Sequence, residues 1–437
     1  MYKSNVKIFK FILWTLATLL AILFILKVTT NPESTSNQIE DADYYVAPWG
    51  KDSNPGTKDE PFATVQKAHD MAQPGELIYL RGGNYNPTQV TRFVNSGTEA
   101  APIRLFAYPG ELPVINGSDL VDEESHLWWF SSDSAHWHVK GIHLTNAKNN
   151  GIYITNNANH LTFEAGVTSY NGQNGESEGD GIRAMDNAHH LTILNWDSHH
   201  NANKVGPNKY DNGDGFVINS NGEGNRLIGV RAWNNSDDGV DLNFATKPVT
   251  IEQSWSAYNG FDDAKGTISG TPNARLGDGV GFKIGGYAPS RGTKPTTHRI
   301  TRSVAWGNAY VGFDENDNGA PQNVFNNTSW HNGKGFDFDK ADSKLRNNIS
   351  HNSNGNWLST KNSIANSWDS NLGFKITDED FISLDDRDAL GARQRDGSLP
   401  VTDFLKLAST SDLIDKGVEV GLPYKGKAPD LGAFEMR

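Results

Sequence analysis

The chain has 437 residues, a net charge of −13, 44 glycines and no cysteine. That length can bury a large core, the absence of a basic run argues against nucleic acid as a partner, and the lack of thiols excludes disulfides and thiolate metal sites. Abundant glycine, asparagine-rich turns and the want of long amphipathic helical patterns point to β architecture.

The first ten residues carry Lys3, Lys7 and Lys10 and read as a cytoplasmic basic stub; residues 11–27 are an apolar run closed by Lys27. As a helix the run spans roughly 24 Å, long for a signal peptide and slightly short for a bilayer. Val28-Thr29-Thr30 is a poor cleavage site. The expectation is a single-pass anchor, with a cleaved signal and a secreted product as the alternative, so that everything from Asp43 onward works outside the cytoplasm. Residues 28–43 form a polar linker, and 44–437 are expected to be one domain.

Tyr44-Tyr-Val-Ala-Pro48 reads as a strand, Asp52 to Thr57 as a turn cluster, and Phe62 to Ala72 as a short helix, with strands beginning near Glu76 to Leu80. A helix there would cap the open edge of a strand stack. From about Ala101 the pattern repeats, in Gly151-Ile-Tyr-Ile, Gly181-Ile-Arg-Ala and Gly215-Phe-Val-Ile, with further copies at Gly239, Gly281, Gly312 and Gly335. Most intervals are those of a solenoid, and the longer one after Gly239 carries an inserted loop, Phe261 to Gly277. Short apolar alternations bounded by Asn and Gly make its coils strands. The fold class is all-β, a right-handed parallel β-helix with a short N-terminal capping helix.

Aromatics recur late in each unit, at Tyr170, Trp233, Tyr258, Trp306 and Trp330. Their regularity suits a stacked interior or turn ladder better than a sugar platform, and the neighbouring asparagines suit side-chain ladders at turns.

Aligning the glycines brings acidic residues into register. Asp180, Asp214 and Asp238 immediately precede a repeat glycine, and Asp241 and Lys283 lie two residues after one. With Asp237, these carboxylates form a column on one face at roughly 4.8 Å spacing. Such a column repels itself unless it holds a cation, and oxygen ligands suit calcium. The plainer alternative is a salt bridge from Lys283 to Asp241 across neighbouring coils on a solvated acidic face. Asp180 reads as structural. Asp314-Glu-Asn-Asp-Asn-Gly319 opens like an EF-hand loop, but Phe325 stands where the bidentate Glu belongs and no helices flank it. It reads as a surface loop near a cleft. Arg183, Arg275, Arg291 and Arg299 are candidates for binding substrate carboxylates, and spacing selects none of them.

Asn-Gly-Asp-Gly-Phe, Asn-Asn-Ser-Asp-Asp-Gly-Val-Asp-Leu, Gly-Phe-Lys-Ile-Gly-Gly and His298-Arg-Ile-Thr-Arg-Ser-Val-Ala-Trp-Gly-Asn, in this order, resemble polysaccharide lyase family 9, the pectate-lyase group with a parallel β-helix. The resemblance runs from about Tyr44 to near Asn332. It implies that Asp214, Asp237, Asp238 and Asp241 bind Ca²⁺ and that Lys283 is the catalytic base. The expected partner is an acidic polysaccharide, cleaved by β-elimination by a monomeric protein. Such chemistry needs a cation on the uronate carboxylate and a base for the adjacent C–H, and a nearby dication with partial burial would favour neutral lysine. Two other readings stand beside it. One is a glycoside hydrolase using Asp237 and Asp238, although the Gly-His-Gly and Arg-x-Lys elements of polygalacturonase-like hydrolases are missing. The other is a non-catalytic exopolysaccharide-binding surface protein.

Overall fold

The computed structural model describes residues 39–121, 126–173, 178–205, 209–261, 267–268, 271–272, 275–286, 294–359, 361–373 and 375–436. The expected anchor lies outside them, and among the described residues no helix is long and apolar enough to cross a membrane. The chain forms two units, residues 1–41 and 42–437. Of the first only 39–41 are described, without regular structure.

The second unit is a parallel β-helix. Short strands stack into three parallel sheets of twelve, ten and ten strands, each strand pairing with the equivalent strand one coil away. Sheet 1 runs from Tyr44–Val46 to Ser363–Ile364, sheet 2 from Thr91–Phe93 to Trp357–Leu358, and sheet 3 from Gly83–Tyr85 to Ile349–His351. The expected helix is α1, Val65–Met71. Thr64 caps it by accepting from Lys67 N at 3.1 Å, and Val65, Ala68 and His69 are its buried face.

Alternation along each strand sends every second side chain inward. In sheet 2 Ile152, Ile182, Phe216, Val240 and Phe282 lie in register on successive coils, all fully buried. Phe282, Phe313 and Phe336 continue the column as stacked rings with centroids 5.1 and 4.9 Å apart. The repeat glycines follow from this stacking. A Cβ at Gly215 would meet the Gly239 carbonyl oxygen at 2.5 Å and the Asn235 amide nitrogen at 3.0 Å, so no side chain fits between the coils.

The asparagine ladders are present. Asn171, Asn201, Asn235, Asn259, Asn308 and Asn332 pass amide-to-carbonyl bonds of 2.9–3.0 Å from coil to coil. Asn235 accepts from Asn201 N and donates to Ser198 O as well. Asn235→Ala strands buried polar groups on both neighbouring coils, and is expected to cost about 1–3 kcal/mol. Urea unfolding checks this as a lowered midpoint with an unchanged slope.

The recurring aromatics are arranged differently from the expectation. Tyr170 and Tyr258 occupy left-handed turn positions (φ 54°), whereas Trp233, Trp306 and Trp330 end strands of sheet 3. They line the outside of the coil rather than its interior. The non-repetitive C-terminal segment covers much of that face: Trp255 and Trp306 are buried in one cluster with Phe381, Phe404 and Leu413. Arg393 ties the segment down by reaching Asp197 at 2.7 Å, while Arg231 bonds Asp197 at 2.6 Å and the Ala389 carbonyl at 3.0 Å. The residues after the last solenoid strand, Ser363–Ile364, thus seal the outer face of sheet 3.

Candidate active site

The candidate site lies on the outward column of sheet 2, where Arg183, Val217, Asp241 and Lys283 are each at most 8% exposed. Tyr153, Arg183, Val217, Asp241, Lys283, Asp314 and Asp337 face the same way on successive coils. The register of Asp241 beside Lys283 is the one the glycine alignment gives.

The carboxylates before the glycines form a second column at the edge of this sheet. Asp180 accepts from Asp214 N at 2.9 Å, Asp214 from Asp238 N at 2.7 Å, and Asp238 from Val280 N at 2.8 Å. Each side chain is thus fixed by the backbone of the next coil, all three fully or nearly fully buried. Asp180 is neutralised by Arg183 at 2.5 Å, which supports its structural reading and commits this arginine to it. Asp237 accepts from the amide of Asp278.

Carboxylate oxygens of Asp214, Asp237 and Asp238 all lie within 4.8 Å of one another. Burial, and then their mutual repulsion, push the carboxyls of Asp214 and Asp237 well above the ordinary range. Burial raises Asp238 as well, against the pull of Lys283. Asp241 stands beside this group rather than within it. One of its oxygens accepts from Asn243 N at 2.5 Å, and burial pushes its carboxyl up to about 6, with Lys283 opposing. Three buried, mutually repelling oxygen donors are a set that fits a hard cation.

Lys283 is nearly buried, and its Nζ lies 2.8 Å from Asp238 and 3.2 Å from Asp278. Burial favours loss of its proton, but Asp238, Asp241, Asp237 and Asp278 outweigh that and hold the ammonium well above its ordinary pKa. The cross-coil salt bridge is therefore real, although its bonded partners are Asp238 and Asp278 rather than Asp241. Asp278 was not singled out from sequence. Its signal was the Gly277-Asp278-Gly279 triplet, similar to the one around Asp214 but two residues out of register with the repeat glycine.

Of the other arginines, Arg275 sits on the loop that delivers Asp278, donating to the Asp278 carbonyl at 3.1 Å. Arg299 is on sheet 1, over the Phe325 ring, away from this column, and Arg291 lies outside the described residues. The 314–319 segment does border the site, but not as a surface loop. Asp314 is the register neighbour of Lys283, Glu315 and Asn318 are buried, and burial pushes Asp314 and Glu315 up to about 7. His298 is buried and accepts from Val249 N at 3.2 Å, a packing role.

Residues 44–356 match the family model described as "Pel9A-like, right handed beta helix region". Pectate lyase L of Dickeya chrysanthemi is 36% identical over 410 residues, covering 90% of each chain. The crystal structure of pectate lyase Pel9A superposes with a TM-score of 0.77 at 34% identity, over 90% of this chain and 96% of that one. A rhamnogalacturonan lyase superposes at 0.72 with 26% identity, over 84% and 96%. With its three parallel sheets and this site, the chain belongs to the Pel9A-like right-handed β-helix family, the pectate-lyase group of polysaccharide lyase family 9.

Proposed function

We propose that this enzyme is a calcium-dependent lyase that cleaves an acidic, uronate-containing polysaccharide such as pectate by β-elimination, with Lys283 as the base. The observation that carries the reading is the buried trio Asp214, Asp237 and Asp238 at the edge of sheet 2, with Asp238 bonded to Lys283 on the sheet's outward column. Asp214, Asp237 and Asp238 would hold the calcium, with Asp241 completing the acidic surround. Bound there, calcium supplies positive charge that offsets the acidic wall and draws electron density from a uronate carboxylate.

Lys283 Nζ takes the proton from the carbon beside that carboxylate. The C–H electron pair becomes a C4=C5 double bond, the C4–O glycosidic bond breaks, and the leaving oxygen is protonated from solvent. The products are a new reducing end and a 4,5-unsaturated uronide. Asp238 and Asp278 aim the lysine, and burial works toward its neutral form once the opposing carboxylates are offset. The names of the relatives, pectate and rhamnogalacturonan lyases, agree on polymers that carry uronic acid. The sequence reading of residues 1–43 adds that the enzyme acts outside the cytoplasm.

A hydrolase using Asp237 and Asp238 fits poorly. Glycosidase carboxyls stand roughly 5–9.5 Å apart across the bond, whereas these belong to one cluster within 4.8 Å. Both oxygens of Asp238 are already engaged, by Val280 N and Lys283.

Incubating the protein with polygalacturonate and a panel of other uronans, with calcium or chelator, tests the reading. A calcium-dependent rise in absorbance near 235 nm, the signature of the unsaturated end, is expected. New reducing ends without that absorbance would point to hydrolysis; neither signal would point to binding alone.

A further inference from the structure

Trp357 closes the column that carries Lys283. The register runs Lys283, Asp314, Asp337, Trp357 on consecutive coils, which puts the indole three rungs, roughly 14 Å, along the helix from the reacting lysine. It is 54% exposed, although it is a large aromatic side chain at a strand position of a sheet whose inward residues are fully buried. The Lys334 ammonium sits over its ring. The same ammonium lies 4.8 Å from the centre of the Tyr310 ring, and the Arg275 guanidinium lies 4.9 Å from that ring. Arg275 in turn bonds the carbonyl of Asp278, whose side chain holds Lys283. An alternating series of cation and ring therefore leads from the reacting lysine to an open indole.

We propose that Arg275, Tyr310, Lys334 and Trp357 form a subsite that binds a sugar unit of the acidic polysaccharide several residues from the bond being broken. This rests on the lyase reading above and names the side of Lys283 on which the polymer is gripped. Charge is the first argument. On a protein of net charge −13, with the acidic trio on the other side of Lys283 and Asp314 and Asp337 on this one, two cations held over aromatic rings are what a polyuronate strand needs in order to approach. Shape is the second. A pyranose presents an apolar C–H face to an aromatic ring, and an extended polysaccharide advances by about one sugar for each rung of such a sheet. A strand centred on Lys283 thus reaches Trp357 without bending. Asp314 and Asp337 lie beneath the strand as acceptors for sugar hydroxyls, with Lys334 3.9 Å from Asp337.

Affinity electrophoresis of the full chain in gels containing polygalacturonate or rhamnogalacturonan measures the subsite without requiring turnover. Wild type is expected to be retarded, Trp357→Ala and Lys334→Gln much less so, and Trp357→Phe to recover most of the retardation, since it restores a ring. On the polymer that is cleaved, Trp357→Ala should raise KM about three- to tenfold, and more for the polymer than for a trimer. Equal retardation of wild type and Trp357→Ala overturns the subsite, as does a wild type that no uronan retards. The lyase reading is judged separately by the absorbance rise, so retardation lost in Trp357→Ala supports the subsite whether or not an unsaturated product appears.

Discussion

Lys283→Arg is expected to leave the protein folded and to lower kcat on its polysaccharide by at least about 10²–10⁴-fold, the usual contribution of a general base. Besides its proposed role as base, Lys283 supplies a structural charge. Its ammonium is bonded to buried Asp238 and exposed Asp278, beside the buried carboxyls of Asp237 and Asp241. Lys283→Ala would remove the base and strand those charges together, and breaking a buried pair in this way costs about 3–5 kcal/mol. An inactive alanine variant would therefore be ambiguous. Arginine keeps the positive charge and cannot act as a base at any working pH. A folded, inactive Lys283→Arg separates the two roles, and one that retained wild-type turnover would remove Lys283 from the chemistry. The pH profile gives a second reading. The surrounding carboxylates raise the lysine's pKa, so its neutral fraction grows only as the medium becomes alkaline, and wild-type kcat/KM should climb with pH. A profile flat from neutral to alkaline pH would speak against a lysine base.

The fold was largely legible because a solenoid writes its period into the sequence. Gly215 and Gly239 are demanded by coil-to-coil contact, Asn235 and Asn259 by the ladder, and Phe216 and Val240 by the interior, so three independent constraints recur together. The same register carried the site, since Asp241 and Lys283 could be paired by counting from a glycine. Where local period and tertiary contact part company, the reading failed. Trp233 and Tyr258 looked like members of one stack, but they occupy different positions of the coil, and their cover comes from a segment with no period at all. Asp278 reaches Lys283 from just after the inserted loop, two residues out of phase with the repeat glycine, so counting from that glycine misses it and only the Gly-Asp-Gly triplet marks it. Arg183 was indistinguishable from Arg275 as a candidate until Asp180 was seen to consume it. The EF-hand-like stretch differs from expectation for a related reason: its acidic and amide residues suggest solvent, yet Glu315 and Asn318 are buried.

The second large effect concerns the charge balance of the trio, and it is read as stability. In chelator, the acidic cluster is expected to contribute less stability as pH rises from about 4 toward 7. The unfolded carboxyls titrate near 3.9, while the folded ones titrate higher: Asp241 at about 6, and Asp214, Asp237 and Asp238 also above the ordinary range. Between these limits the folded state binds more protons than the unfolded, so stability present below the unfolded value is lost as pH passes the folded value. Lys283 stays charged throughout and adds no slope there. Glu164, held down to about 2 by His138, and Asp197, held down by Arg231 and Arg393 against its burial, have the opposite sign. Their contribution is lost only in more acid solution. Asp314 and Glu315, both near 7, share the direction of the trio, whereas His199 and His298, pushed down by burial to about 3 and about 4, gain stability as pH rises over the same window, so the slope alone does not isolate the trio. Calcium does. At a hundredfold excess over its Kd, a ligand that binds only the folded state stabilises by about 2.7 kcal/mol. Its binding requires the trio deprotonated, so calcium should raise Tm most near neutral pH and remove the trio's share of the slope, leaving the shares of Asp314, Glu315 and the buried histidines. Asp214→Asn removes one charge from the cluster. It should make the chelated protein more stable at neutral pH while weakening the response to calcium. A Tm indifferent to calcium across this range, or an Asp214→Asn variant with the full wild-type response, would mean that these buried carboxyls do not form the cation site.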